Sequence, residues 1–311
     1  MSNITAARLN NLQTRISNLF GNGSGQSGYG QNVASSQVAV GEIATAEHLN
    51  LIASDMIRAR IHQRGTTPVP ANIATISQNL NIIAENSSYS VNNSGISIND
   101  PLGSVKGFSD FENLMTQLES DKFLMDSSQA TLEPGTSSER QSQWNGIINH
   151  EFKVEFSSAD ERRHFFNSGG AIRISASNTS SSTPKGKDWT ALLEEIGTVS
   201  FNYNSTSTNN TGIGQPIGNF SLLSQYTRIY QKVGQGSFSG IYAGNLLSID
   251  AKELNDKTIQ FRIEFNDIAQ DNLIDNNIDG YLKTNIQHYR ADTSNVTASV
   301  PTYIPITALT A

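Results

Sequence analysis

Ile259-Gln260-Phe261-Arg262-Ile263-Glu264-Phe265 is the stretch that decides the fold. Successive side chains of an extended chain point to opposite sides, so Ile259, Phe261, Ile263 and Phe265 line one face while Gln260, Arg262 and Glu264 line the other. A strand that is apolar on one face and wet on the other belongs to an antiparallel sheet, because helix-covered parallel strands are apolar on both. Outward from it, further strands are predicted near 225–233, 245–252 and 280–290. Upstream, His150, Phe152, Val154 and Phe156 alternate with Glu151, Lys153 and Glu155, after an Asn145-Gly146 pair of the kind favoured in tight hairpins. Two short helices interrupt the strands. Ser158 and Glu161 have capping-box spacing ahead of His164, Phe165 and Phe166, and that helix stops at Gly169-Gly170 before a strand Ile172-Arg173-Ile174. Asp188 is placed to cap a second helix holding Trp189, Leu192, Leu193 and Ile196, which ends at Gly197 before Val199, Phe201 and Tyr203 alternate.

The amino-terminal part has the other period. Thr5-Ala6-Ala7-Arg8-Leu9-Asn10-Asn11-Leu12 recurs forty positions on as Thr45-Ala46-Glu47-His48-Leu49-Asn50-Leu51-Ile52. Leu9, Leu12, Ile16 and Leu19 in one copy, and Leu49, Ile52, Met56 and Ala59 in the other, each draw one apolar stripe along a helix capped by Thr5 or Thr45. Leu80-Asn81-Ile82-Ile83 resembles a third, shorter copy. A stripe this narrow needs a partner, which is either a helix of the same chain or a neighbouring subunit. Leu9, Leu12, Ile16, Leu19, Leu49, Ile52 and Met56 are therefore candidate assembly-interface residues. Between the first two copies, Gly23, Gly25 and Gly28 match a dinucleotide-binding spacing, but they follow a helix instead of a strand, so the run 21–30 reads as a flexible linker. A further helix is expected from Ser109 and Glu112, with Phe111, Leu114, Met115 and Leu118 on its apolar face. The Ser-rich stretches 84–108 and 126–143 read as loops or linkers.

The fold class is thus α+β. Amphipathic helical repeats (1–100) and a helix with a Ser-rich linker (101–143) precede a mainly antiparallel β-sandwich domain with two embedded helices (144–295). Residues 296–311, with Pro301 and Pro305 among Val300, Tyr303, Ile304 and Ile306, read as an extended arm that straps its own domain or lies on a neighbour. Tyr303 and Ile304 join the candidate interface.

Composition excludes several activities. The 311 residues include 39 Ser, 32 Asn and 24 Thr, nearly a third of the chain, and only 16% are charged, against about 25% in ordinary domains. The net charge of −7, without a basic run, gives phosphate-driven nucleic-acid binding no electrostatic basis. The absence of cysteine removes disulfides, thiolate metal sites and cysteine nucleophiles. No stretch approaches a membrane span, and Met1-Ser2-Asn3-Ile4 does not open a signal peptide, so maturation in a cytoplasm is expected.

Several stretches resemble virion structural proteins of tailed bacteriophages, particularly contractile-tailed cyanophages. They are Trp144-Asn145-Gly146 with Asn149-His150, Phe156-Ser157-Ser158-Ala159-Asp160, Phe165-Phe166-Asn167-Ser168-Gly169-Gly170-Ala171-Ile172-Arg173-Ile174-Ser175-Ala176-Ser177, and Asp188-Trp189 through Phe201. The unit Ile4 to Asn10 is similar to their helical repeats. The Phe-Phe-Asn-Ser-Gly-Gly-x-Ile-Arg run is the most specific, and the segments together span about two thirds of the chain; the middle, 84–143, has no counterpart. The resemblance implies a virion part, a tail component at the fibre or baseplate attachment or the neck, assembled in the host cytoplasm with itself and other virion proteins, and no catalysis. A receptor- or glycan-binding adhesin at a fibre tip, contacting its ligand through loops 204–215 and 234–240, is the alternative.

Chemistry-bearing residues are few. The loop Asp267, Asp271, Asp275-Asn276-Asn277-Ile278-Asp279-Gly280 contains the opening half of a calcium loop, with Asp271, Asp275, Asn277 and Asp279 as candidate oxygen ligands. Ile286 stands where the closing glutamate belongs, so a solvated Asp/Asn turn is the simpler reading. His48, His62, His150, His164 and His288 have no metal-ligand spacing. Arg162, Arg163 and Arg173 come nearest to a basic cluster, and pairing with Asp160 and Glu161 is expected.

Overall fold

Three helices carry the apolar stripes: α1 (Ala6–Phe20), α2 (Ala46–Arg64) and α3 (Phe108–Ser120). The computed structural model describes residues 5–22, 28–65, 90–92, 95–97, 108–236, 242–268 and 275–309. The third copy of the repeat, Leu80 to Ile83, lies outside these, as do Gly23 and Gly25. The described chain divides into two units. Unit 1 takes Met1–Thr131, Arg163–Gly169 and Arg290–Ala298; unit 2 takes Leu132–Arg162, Gly170–Tyr289 and Ser299–Ala311.

In unit 1 the Thr5 hydroxyl accepts the Arg8 amide at 3.3 Å to cap α1, and the Thr45 amide donates to His48 Nδ1 at 3.3 Å to open α2. Leu9, Leu12, Ile16 and Leu19, and Leu49, Ile52, Met56 and Ala59, keep at most 4% of their surface. This corrects their assignment as an assembly interface. The two stripes face each other and Phe111, Leu114, Met115 and Leu118 of α3, so they form a core inside one chain. Each buried leucine contributes about 2 kcal/mol by removal from water. Ion pairs fix the arrangement: Arg8 reaches Glu112 at 2.7 Å and Arg15 reaches Glu119 at 2.6 Å. Both pairs are 104 residues apart, so α1 and α3 run parallel. Because α3 supplies a third of this core, the expected divisions after residues 100 and 143 are not the observed ones. Between Ser90–Asn92 (β1) and Gly95–Ser97 (β2) the chain makes a small antiparallel pair.

The expected flexible linker is partly fixed. Tyr29 is buried, its amide closes onto the carbonyls of Leu19 and Phe20 at the end of α1, and its hydroxyl donates to the Lys122 carbonyl at 2.6 Å. Asp55 of α2 accepts the amides of Ala34 and Ser35 at about 3 Å, and Asn10 bonds both backbone groups of Val38.

Unit 2 is the sandwich. Its strands are β3 (Ala130–Arg140), β4 (Ile147–Glu155), β5 (Ala171–Thr179), β6 (Thr198–Phe201), β7 (Thr206–Thr208), β8 (Ile213–Gly214), β9 (Thr227–Val233), β10 (Leu246–Asn255), β11 (Thr258–Asn266), β12 (Tyr281–Ala291) and β13 (Thr302–Thr307). One antiparallel sheet has the order β13-β4-β11-β10-β9-β8 and the other β3-β12-β5-β6-β7. The deciding stretch is the middle of the larger sheet, where Phe261 pairs with Phe152 on one side and Ala251 on the other. The rings of Phe152 and Phe261 stack at 5.3 Å, and Phe201 of the smaller sheet meets Phe261 edge-on at 5.2 Å, so the core lies between the sheets. The embedded helices are α4 (Ala159–Asn167), where Ser158 caps Glu161 and whose residues from Arg163 on belong to unit 1, and α5 (Pro184–Ile196).

Three expectations are corrected here, and the two readings of the arm are resolved. Residues 126–143 are not a linker, since β3 occupies 130–140; as an edge strand it shows no continuous apolar face to read. Asn145-Gly146 makes no hairpin, because β3 and β4 lie in different sheets. Thr183, not Asp188, caps α5, its hydroxyl accepting the Gly186 amide at 3.1 Å; the helix starts one turn earlier, through Pro184. The arm is a strap on its own sheet: Tyr303 pairs with Val154 and Pro305 with Phe152, with Tyr303 half-buried and Ile304 exposed. Proline in the outermost strand lacks only a donor that would face solvent.

The run with the most specific resemblance closes α4. Phe165 and Phe166 are fully buried, Asn167 donates to the Gly28 carbonyl at 2.7 Å, and Gly169 adopts φ +86° with Met125 where a Cβ would stand. Only glycine fits that left-handed position without strain.

Candidate functional site

The polar groups of unit 2 converge where the acidic turn meets the start of α5. Thr183 and Ser182 sit at the first turn of the helix, whose free amides attract negative charge. Asp279 takes that place: its carboxylate accepts the Ser182 amide (2.8 Å) and hydroxyl (2.6 Å) and the Thr183 amide (3.3 Å) and hydroxyl (2.6 Å). Burial opposes its ionisation, but these donors outweigh burial and hold the carboxyl at about 2. Asp275 accepts the Lys185 amide and the Tyr242 hydroxyl, both at 3.1 Å. Burial, with Asp275 as acceptor, pushes the Tyr242 phenol up.

Two of the four calcium candidates are placed and engaged. Asp275 and Asp279 hold protein donors, Asn277 lines a cavity, and Asp271 lies outside the described residues. Calcium at this turn would have to displace hydrogen bonds that seat α5. Among the described residues no group of three His, Cys, Asp or Glu is placed to hold a metal ion.

Beside this turn two side chains meet that the sequence did not bring together. Lys185 Nζ lies 2.6 Å from Asp267 Oδ2, and neither side chain has any exposed surface. Trp189 and Phe265, with rings 6.0 Å apart, flank the pair in sequence, and Trp144 packs on Trp189 at 5.1 Å. A lysine in the first turn of a helix normally projects into water, so no pattern in the sequence marks this one as buried.

A cavity of about 460 Å³ opens next to Trp144. Its wall is made of Gln143, Asn145, Asn149 and Asn277 with Trp144 and Ile148, and the tail Thr307 to Leu309 closes one side. Arg140 builds the wall instead of facing a ligand: its guanidinium donates to the carbonyls of Ser142, Gln143 and Leu309 at 2.9–3.1 Å. Asn149 Oδ1 is buried without a hydrogen-bond partner. Apart from Arg140, Ile148 and the tail, the cavity is lined by neutral amides and one indole.

No family model, characterised protein or solved structure matches the chain.

The histidines lie apart. His62 is buried against the ring of Tyr29 at 5.1 Å, His150 lies 2.8 Å from the Thr284 hydroxyl, and His288 lies 2.9 Å from Glu133. Arg162 does not pair with its sequence neighbours. It is buried, reaching Glu253 at 2.9 Å and Asn219 Oδ1 at 2.7 Å, which ties α4 to the β10–β11 end of the sheet. No described helix is long and apolar enough to cross a membrane.

Proposed function

We propose that this chain is a structural subunit of a tailed-bacteriophage virion, a tail component at the fibre or baseplate attachment or the neck, which works by docking to copies of itself and to other virion proteins and carries out no catalysis. Its place in a virion rests on the resemblance of the segments around Phe165 to Ile174 and Asp188 to Phe201. The docking role is carried by one observation in unit 1. With the helical stripes buried, Val40 and Ile43 stand in solvent on the turn ahead of α2, Val40 fully and Ile43 at 83% of its surface. Two large apolar side chains three positions apart, both in solvent, gain free energy when a partner covers them. The apolar contact is thus assigned to the turn instead of the stripes.

Val40→Asp with Ile43→Asp is the test. The wild-type chain is expected to sediment as an oligomer and to enter assembled particles. The double variant should remain folded, with unchanged circular dichroism and melting temperature, yet fail to assemble. A monomeric wild type in the presence of its virion partners, or a variant that assembles normally, overturns the reading.

A second reading, an adhesin, is favoured by the cavity beside Trp144. Amide side chains next to an indole suit a neutral saccharide, whose hydroxyls both donate and accept and whose C–H face packs on aromatic surface. This reading puts the contact at the cavity; of the expected loops, 204–215 is largely exposed, and 237–240 lie outside the described residues. Binding on a glycan array that is abolished by Asn149→Leu, with an unchanged melting temperature, would favour this reading over the first.

A further inference from the structure

Lys185 and Asp267 form the least expected contact in unit 2. Their side chains approach to 2.6 Å with no exposed surface on either. Two buried charges lose their hydration, and their mutual attraction only partly restores it. Transfer of one proton from the ammonium to the carboxylate leaves a neutral amine and a neutral carboxylic acid with no change in the proton count. Burial favours that form. It is also the reactive form, since a neutral amine is a nucleophile and a protonated carboxyl can release water.

The geometry supplies the rest. Lys185 lies in the first turn of α5 and Asp267 directly follows β11, so two rigid elements hold the amine against the carboxyl group, Nζ 2.6 Å from Oδ2. Held partners of this kind react with effective molarities of about 10⁵ M or more, which offsets the preference for free acid and amine in water. Trp189, Phe265 and Tyr242 are fully buried, so water that would reverse the condensation is excluded. A carboxylate and a phenol stand beside the Lys185 backbone. Asp275 bonds both the Lys185 amide and the Tyr242 hydroxyl, and that hydroxyl lies within the field of the Lys185 charge.

We propose that Lys185 and Asp267 condense to an intramolecular isopeptide bond. The Nζ lone pair attacks Cγ of the protonated Asp267 carboxyl, and the carbonyl electron pair moves to oxygen. A proton passes from Nζ, by way of the Asp275 and Tyr242 pair, to the hydroxyl oxygen. The Cγ–O bond breaks, and one water leaves as the amide forms. Nothing is oxidised or reduced, and no co-reactant is needed. The bond ties α5, which lies between β5 and β6 of the smaller sheet, to the end of a central strand of the larger one. It gives a chain without cysteine a covalent staple, and it does not depend on the docking role.

Intact mass of the full-length chain, denatured before measurement, is the test. The wild type is expected to be lighter than its sequence by one water. Its digest should contain a branched peptide that joins the segments bearing Lys185 and Asp267. Lys185→Met and Asp267→Ala should each show full mass, a readout that holds even if they do not fold. Succinimide formation at Asp279-Gly280 also releases water, but it would persist in Lys185→Met and be cleaved by hydroxylamine. A wild type of full sequence mass with two separate linear peptides, or a deficit that survives Lys185→Met, overturns the proposal and leaves an ion pair only.

Discussion

Replacing Leu12 or Leu49 with aspartate is expected to unfold the helical unit. Both leucines keep 3% or less of their surface, and they face one another's helix and α3. Truncating a buried leucine costs about 2–5 kcal/mol, and placing a carboxylate in the same apolar site adds a desolvation penalty of several kcal/mol more. The sum rivals the whole stability of an ordinary domain, about 5–15 kcal/mol. Both tryptophans, Trp144 and Trp189, lie in unit 2, so their emission reports the sandwich alone. Either variant should lose helical circular dichroism while tryptophan emission keeps its native maximum and unfolds in urea as in the wild type. Retention of the helical signal with loss of an oligomer would mean instead that the stripes are an interface between subunits. Comparison with Val40→Asp and Ile43→Asp separates the two cases, because those changes touch no core.

What was legible in the sequence follows from where a side chain's environment is set by its near neighbours. The alternation at Ile259 to Phe265 and the stripe from Leu9 to Leu19 are periodic, and each gave its element and its buried face. β3 was not legible, because an edge strand needs no apolar face and Thr131 to Arg140 reads like a Ser-rich linker. The stripes could be seen, but not their partner: α3 lies about a hundred residues away, held there by the shared apolar core and by pairs such as Arg8–Glu112, Arg15–Glu119 and Arg60–Asp121. The same limit hid the Lys185–Asp267 contact. A lysine at the start of a helix and an aspartate after a strand are each ordinary, and only the packing of the two sheets makes them meet. The acidic turn showed the reverse. In sequence its residues read as a solvated turn with candidate oxygen ligands, yet Asp279 and Asp275 serve to seat α5, a role set by donors about ninety positions earlier.

Acid should destabilise both units through one buried histidine in each. His62 in unit 1 and His150 in unit 2 are both buried, and burial pushes each imidazole down from the usual 6.5 to about 4. The folded chain keeps them neutral to about pH 4, whereas the unfolded chain protonates them near pH 6.5. Between those values the unfolded state binds the extra proton, so stability falls as pH falls. The contribution is fully present above about pH 6.5 and is lost by about pH 4. The gap corresponds to roughly 3 kcal/mol for each histidine. At about pH 4.5 the urea midpoints of the helical signal and of tryptophan emission should therefore both drop well below their values at pH 7.5, and Asp279, held at about 2, is still ionised there. His62→Phe should flatten the pH dependence of the helical signal alone, and His150→Gln that of tryptophan emission alone. Midpoints that fall as far in the double variant as in the wild type would show that carboxylates, and not these histidines, carry the acid sensitivity.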